Sequence, residues 1–167
     1  MLFWSLIVLV AVQRLFEMTL TMRHSHWMQK HGGQEYGTEH YPWMILLHVA
    51  FLASLVLERL LKPYRVYLWC LAPLSAAQLL RYSSIWALGR FWNTRIWVLP
   101  GAFPIRRGIF RWIRHPNYAG VVLEFFSLPG MFGLWITTVV FSLLNAWMLS
   151  VRIRMEDRAL REGGARR

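Results

Sequence analysis

Arg114-His115-Pro116-Asn117-Tyr118-Ala119-Gly120 stands between a loop crowded with arginine and an apolar run beginning at Val121, and the rest of the chain can be ordered around it. Proline lacks a backbone N–H and holds φ near the helical value, so Pro116 suits the first position of a helix running through Leu123. His115 then falls at the N-cap. The first turn of a helix carries unpaired N–H groups and the positive end of the macrodipole, so an anionic group such as a ligand carboxylate can be received there. Gly120, without a side chain, would let a ligand approach closely. The alternative is a turn at which the chain enters the bilayer, with Arg114 and His115 meeting lipid headgroups. Spacing alone leaves both readings open.

Composition narrows the setting. Hydrophobic residues make up 56% of the 167, with 10 Trp and 10 Phe, and the mean hydropathy is +0.34. That is too apolar for a soluble domain of this size, and the chain reads as a polytopic membrane protein. A net charge of +11 raises the question of nucleic acid. Lys and Arg gather beside apolar runs, however, where the positive-inside rule and anionic membrane lipids account for them, so no nucleic-acid partner is expected. Cys70 is the single cysteine and lies in an apolar segment, which leaves neither a disulfide framework nor a cysteine-rich metal site and points to packing. Gln13, Arg14 and Glu17 inside the first apolar stretch, with no basic n-region before it, argue against a cleaved signal peptide.

Toward the N-terminus, Leu2 to about Thr21 is long enough for a first span, since about 20 helical residues cross the hydrocarbon. Gln13 and Arg14 lie four and three residues before Glu17, so they share a helical face and can pair, either as a polar clasp between helices or as part of an active site. Residues 22–41 read as a polar loop. Its four histidines, His24, His26, His31 and His40, form no H-E-x-x-H pattern, and a His-x-His pair in a loop is weak support for a metal, so none is expected. Tyr41 and Trp43 fit an aromatic belt, with a second span from Trp43 to about Leu61 and His48 inside it as a hydrogen-bonded packing residue. Lys62-Pro63-Tyr64-Arg65 connects to a third span, Val66 to about Gly89. Arg81, late in that span, either snorkels to the interface or lines a polar cavity.

Between Arg90 and Tyr118 the chain carries Arg90, Arg95, Arg106, Arg107, Arg111 and Arg114 and no acidic residue, which places that loop on the cytoplasmic side. Loop 22–41 and the C-terminus follow it there if the segment from Val121 to Ser150 crosses and returns. Pro129-Gly130 and Gly133 would supply the turn. The outgoing arm, Pro116 to Leu128, is roughly 20 Å of helix, too short to span a bilayer unaided, so a short hairpin packed on the other helices is expected. Lys62 and Arg65 fall on the outer side in this scheme, against the trend of the other basic residues. The expected fold is an all-α polytopic membrane bundle of about five transmembrane segments, the last two a short helical hairpin. It forms one domain over residues 1–167: three spans and a loop in 1–89, then a binding loop, the hairpin and a tail in 90–167.

A second polar cluster, Arg152-Ile153-Arg154-Met155-Glu156-Asp157, stands where the last helix leaves the membrane. Arg152 and Glu156 are at i and i+4 and share a face. If the hairpin turns near Met131 and Phe132, Pro116 lies level with about Trp147, and Arg152 and Glu156 stand roughly 8 Å and roughly 14 Å further out. Donors on one wall and a carboxylate on the other would suit a zwitterionic ligand. Equally, the pair can be an exposed ion pair in a basic tail, contributing about 0.3–0.5 kcal/mol.

At these residues the chain resembles the isoprenylcysteine carboxyl methyltransferase family, integral membrane enzymes that use S-adenosylmethionine. The similarity runs from Leu88-Gly89-Arg90-Phe91-Trp92 through Ile105-Arg106-Arg107-Gly108-Ile109-Phe110 and Arg114-His115-Pro116-Asn117-Tyr118-Ala119-Gly120 to Arg152 and Glu156. The family commonly has Tyr at the position of Phe110 and a second Glu at that of Asp157. The resemblance implies that Ile105, Gly108, His115, Pro116, Tyr118 and Gly120 cradle the cofactor with Glu156 closing over its polar part, and that Arg152 orients the acceptor oxyanion. Arg152 and Glu156 are thus the expected catalytic residues.

A narrower resemblance lies in the N-terminal half. Gln13-Arg14 with Glu17, and Gly32-Gly33-Gln34-Glu35-Tyr36-Gly37 with His40-Tyr41-Pro42, look like a bacterial branch of the family associated with type III polyketide synthases, which O-methylates long-chain alkylpyrones or alkyl phenols. The implied activity is O-methylation, at the cytoplasmic face of a bacterial membrane, of a lipid-like acceptor whose apolar tail enters from the bilayer. The alternative acceptor is an isoprenylcysteine carboxylate. No obligatory protein partner is evident. A membrane scaffold would explain the helices without the ordered motifs, and a small transporter would need a polar path, which Arg14, Glu17, Arg81 and Glu124 can begin.

Overall fold

The computed structural model describes residues 1–63, 65–101 and 105–164, and it holds five α-helices and one two-stranded sheet among them. The helices are α1 (Leu2–Lys30), α2 (Tyr41–Leu61), α3 (Leu71–Leu88), α4 (Pro116–Met131) and α5 (Trp135–Gly164), and the strands are β1 (Gln34–Tyr36) and β2 (Ile96–Val98). Three of the helices are long and apolar enough to cross a membrane, Leu2–Lys30, Tyr41–Leu61 and Trp135–Glu162. Their pattern is that of a lipid-solvated bundle. On α1, Val8, Leu9, Val12, Leu15 and Phe16 are exposed while Glu17 and Thr21 are buried. Exposing apolar residues and burying polar ones is favourable only where the solvent is hydrocarbon. The fold is therefore an all-α membrane helical bundle.

The chain forms two compact units that interleave along the sequence. The first contains Met1–Tyr41, Leu88–Ile105 and the stretch from Arg152 onward. Here α1 departs from expectation, because it does not end at Thr21 and runs through Lys30. His24 and His26 are therefore helical, and the loop expected over 22–41 is only its second half. Polar side chains of this extension hold the segment after α3. Thr21 Oγ1 lies 3.0 Å from Thr94 Oγ1, the Nδ2 of Asn93 donates to Ser25 Oγ at 2.9 Å, and His24 Nδ1 donates to the carbonyl of Trp92 at 2.5 Å. The glycines end the helix: Gly32 has φ 78°, a left-handed conformation that glycine adopts without strain.

Beyond that turn, β1 pairs antiparallel with β2 in the register Gln34 with Val98, Glu35 with Trp97 and Tyr36 with Ile96. Ile96, Val98 and Ala159 form a small core, with Tyr36, Met155 and Leu160 packed on it. This cluster joins the segment after α1, the segment after α3 and the end of α5. The three therefore share one side of any bilayer the helices cross.

The second unit contains Pro42–Ala87 and Arg106–Val151. Glu58 near the end of α2 accepts from the backbone N–H groups of Ile136 at 3.3 Å and Thr137 at 2.8 Å, so its carboxylate satisfies donors at the start of α5. Phe51 stacks on Phe125 of α4, centroids 4.1 Å apart, and His48 meets the same ring edge-on while its Nδ1 lies 2.8 Å from the Met44 carbonyl. His48 is thus the hydrogen-bonded packing residue the sequence implied, and Cys70 is fully buried as a packing residue.

Three expectations change within this unit. The segment expected as a span over 66–89 becomes a 3-10 turn, Leu68–Cys70, and the 18-residue helix α3; Pro73 sits in its first turn, where the missing N–H costs no helical bond. Arg81 does not snorkel: it is 2% exposed and its Nη2 lies 2.6 Å from Glu124 Oε2 on α4, a carboxylate as deeply buried. Pro129 and Gly130, expected in the hairpin turn, end α4 instead, and the reversal falls at Phe132, Gly133 and Leu134, with Gly133 at φ 68°.

Candidate functional site

The arginine-rich approach to α4 is built on the end of α3. Arg107 Nε donates to the Ala87 carbonyl at 2.9 Å, satisfying one of the acceptors that a helix C-terminus leaves open. Gly108 follows at φ 58°, where a Cβ would also come within 3.2 Å of the Ala87 methyl. The chain then makes a 3-10 turn over Gly108–Arg111 and enters α4. Pro116 is the first helical residue and His115 the N-cap, with φ −128° and no capping bond from its side chain. His115 stacks on Tyr118, ring centroids 5.3 Å apart and 16° from parallel.

Two polar atoms at this helix start are buried and have no hydrogen-bond partner among the described residues: His115 Nε2 and Asn117 Oδ1. Buried polar atoms are ordinarily satisfied, because an unmade bond costs about 1–3 kcal/mol. Together they offer a nitrogen that can donate to a carboxylate and an oxygen that can accept from an amine or ammonium. A carboxylate and an amine are the groups that would complement these two atoms. Asn117 carries no signal of its own in the sequence, where it only separates Pro116 from Tyr118; its signal is the unsatisfied oxygen, visible only in three dimensions.

Gly120 meets a neighbouring helix. A Cβ there would lie 2.9 Å from the Ala77 carbonyl of α3 and 3.6 Å from the Arg81 nitrogen, so the missing side chain admits the backbone of α3. One turn on, Glu124 meets Arg81. The close approach and the ion pair together fix α4 against α3.

The remaining expected residues belong to the first unit. Ile105 is half-buried. Arg152, on α5, is 4% exposed and its Nη2 donates to the Thr94 carbonyl. Glu156 is half-buried one turn further along α5. Thr94 is also the centre of a polar group in which Thr21 Oγ1 lies within 3.0 Å and the Tyr41 hydroxyl within 3.2 Å of its Oγ1. Arg95 lies 4.3 Å over the Tyr41 ring and pairs with Glu35 at 2.8 Å; burial works against its charge, but Glu35 and Tyr41 outweigh it and raise its pKa. His40, absent from the expected site, is drawn into this cluster. Burial first, and the Arg152 charge second, lower its pKa below the usual histidine value.

Gln13, Arg14 and Glu17 pair as expected along one face of α1, at 3.2 Å for Gln13 Nε2 and 2.6 Å for Arg14 Nη1.

Comparison with known proteins adds the context for this arrangement. Residues 68–162 match the model of the isoprenylcysteine carboxyl methyltransferase (ICMT) family. An uncharacterized protein of Bacillus subtilis (strain 168), YpbQ, is 40% identical over 163 residues, covering 96% of this chain and 97% of that one. An uncharacterized protein of Haemophilus influenzae is 26% identical over 151 residues, 88% of each chain. No solved structure matches.

Proposed function

This chain belongs to the isoprenylcysteine carboxyl methyltransferase family, a family of membrane methyltransferases, and from that premise we propose that it is an S-adenosylmethionine-dependent O-methyltransferase acting on a lipid-like acceptor. The observation that carries the reading is the start of α4, inside the matched region, with His115 Nε2 and Asn117 Oδ1 buried and unpartnered. The amino-acid end of the cofactor bears the carboxylate and amine that these two atoms complement. The bound cofactor would supply a methyl group on a sulfonium, reactive enough to need no metal.

The chain's own residues have three tasks. His115 and Asn117 bind, and Pro116 fixes the backbone that presents them. The resemblance adds Ile105, Gly108, Tyr118 and Glu156 to the same duty, and Gly120 contributes indirectly by seating α4 on α3. Arg152, in the first unit, favours the ionised form of an acidic acceptor, because a nearby cation lowers an acid's pKa. Its anchoring on the Thr94 carbonyl holds that charge in place. The exposed apolar faces of the helices leave a long alkyl tail in the hydrocarbon while its polar head reaches the interface.

The acceptor favoured by the N-terminal pattern is a long-chain alkylpyrone or alkyl phenol, methylated at the cytoplasmic face of a bacterial membrane. The family's own description favours an isoprenylcysteine carboxylate as the second reading. The test is binding and transfer with the purified protein in detergent. S-adenosylmethionine should bind, and His115→Ala, Asn117→Ala and Glu156→Gln should each weaken it roughly ten- to hundredfold, the worth of one charge-assisted hydrogen bond. Labelled methyl should pass to a long-chain alkylpyrone or alkylresorcinol and poorly to farnesylcysteine. Unchanged affinity in all three variants would remove the cofactor site from α4, and efficient transfer to farnesylcysteine alone would reverse the choice of acceptor.

A further inference from the structure

The second unit is short of negative charge. Glu58 and Glu124 are its only carboxylates, and both are buried in bonds already described, to the start of α5 and to Arg81. Against them, the nine residues from 106 to 114 set four arginines, Arg106, Arg107, Arg111 and Arg114, all exposed. Arg107 gives its Nε to the Ala87 carbonyl, which holds the segment to α3. No carboxylate of the unit is left to neutralise Arg106 or Arg111. Next to Arg111 stands Trp112, 81% exposed, with the guanidinium carbon 5.7 Å from the centre of its ring, and Ile113 is exposed beside it.

The depth of this segment follows from the helices on either side of it. At the far end of α4, a Cβ on Gly133 would lie 3.1 Å from the Tyr67 ring and 3.8 Å from the Arg65 carbonyl oxygen. Tyr67 in turn meets the Trp135 ring at 5.7 Å and donates its N–H to the Met131 carbonyl at 2.8 Å, so α3 begins at the level where α4 ends. Aromatic rings beside the exposed Lys62 and Arg65 mark a membrane–water boundary there. From that boundary α4 runs 16 residues and α3 18. Those lengths are roughly 24 and 27 Å, whereas the hydrocarbon is about 30 Å thick. Both helices stop short of the opposite boundary, and the chain between them lies at the level of the lipid headgroups. An indole suits that layer, where its body meets acyl chains and its N–H meets water. Arginine suits it too when a phosphate is there to accept from its fork of donors.

We propose that residues 106–114 are a docking surface for anionic phospholipid, the phosphodiester of a headgroup taken by Arg106 and Arg111 while Trp112 sits at the boundary between headgroup and acyl chain. Charge decides the occupant. A zwitterionic headgroup carries a cation that cancels its phosphate in front of these arginines. An anionic headgroup keeps its full negative charge, a gain of about fivefold in affinity for each arginine near the surface. A free phosphate or a nucleic acid offers the same charge without an acyl chain for Trp112 and Ile113 to meet, so the lipid is the form this surface fits. Binding requires neither cofactor nor acceptor and is independent of the methyl-transfer reading.

The test uses the full-length protein, purified in detergent and titrated with phosphatidylglycerol or phosphatidylcholine, with the retained lipid counted by native mass spectrometry. Phosphatidylglycerol should bind at least about tenfold more tightly. Arg106→Gln and Arg111→Gln should each weaken it about fivefold and leave phosphatidylcholine unchanged. Arg111→Lys keeps the charge without the planar fork and should lose less than Arg111→Gln. Trp112→Ser should weaken phosphatidylglycerol as well, because the indole meets the acyl boundary. Equal affinity for the two lipids, or phosphatidylglycerol binding untouched in both Gln variants, overturns the proposal. Displacement of phosphatidylglycerol by inorganic phosphate or single-stranded RNA at equal concentration overturns it too, since the arginines would then take an anion without a lipid.

Discussion

The Arg81–Glu124 pair gives the sharpest energetic expectation. Both side chains are 2% exposed and the charged atoms are 2.6 Å apart, joining α3 to α4. Two ions brought out of water in this way stabilise little on balance, but removing one leaves the other charged and buried. For a pair this deep the cost of that removal is about 3–5 kcal/mol. Glu124→Gln should fall in that range because guanidinium cannot shed its proton. Arg81→Met should fall in the same range, since it leaves the Glu124 carboxylate buried without that guanidinium. Replacing both, as Arg81→Met with Glu124→Met, fills the same volume without charge and should return to within about 1 kcal/mol of wild type. The assay is reversible unfolding in mixed detergent micelles, followed by the fluorescence of the 10 Trp, with the four proteins forming a double-mutant cycle. Single variants costing under about 1 kcal/mol, or a double variant costing the sum of the singles, would refute the claim that the two charges are buried against each other.

Gly120→Val should destabilise by about 1–3 kcal/mol in the same assay, because the Ala77 carbonyl that the new side chain meets belongs to a helix backbone and cannot turn aside. Stability should also rise with pH up to about 6.5: His40 has a lowered pKa in the fold, so the unfolded chain binds its proton first as pH falls and the contribution is lost through that window. Comparing wild type with His40→Gln between about pH 5 and pH 8 isolates this slope, and parallel curves would contradict it. Cysteines placed singly at Arg106 and Arg161 in a Cys70→Ala background should both escape an impermeant thiol reagent applied to intact cells, and labelling of either one would contradict a shared cytoplasmic side.

Much of the fold could be read in the chain because a bilayer turns apolar length into helix. The runs that became α1, α2 and α5 needed no partner to be recognised. What escaped recognition depends on contacts distant in sequence. Met22 to Lys30 looked like a loop once about 20 residues had crossed the bilayer. It stays helical because Thr21, His24 and Ser25 bind residues 92–94, some 70 positions away. The strands β1 and β2 are three residues each, too short for any alternation to register. Arg81 and Glu124 are 43 positions apart, and no local spacing announces their pairing.

The site shows the same division at finer scale. Pro116 and His115 could be placed at the helix start because proline's fixed φ is a property of the residue itself. Gly120 could not be interpreted so, since the absence of a side chain says that something comes close without saying what. The neighbour seen in the fold is α3, whose Ala77 carbonyl a Cβ would meet at 2.9 Å. The reverse holds for Asn117, which carries no distinguishing spacing and stands out only because its buried Oδ1 has no hydrogen-bond partner among the described residues. An unsatisfied buried atom is a property of the surroundings, so it is visible in the fold and silent in the chain.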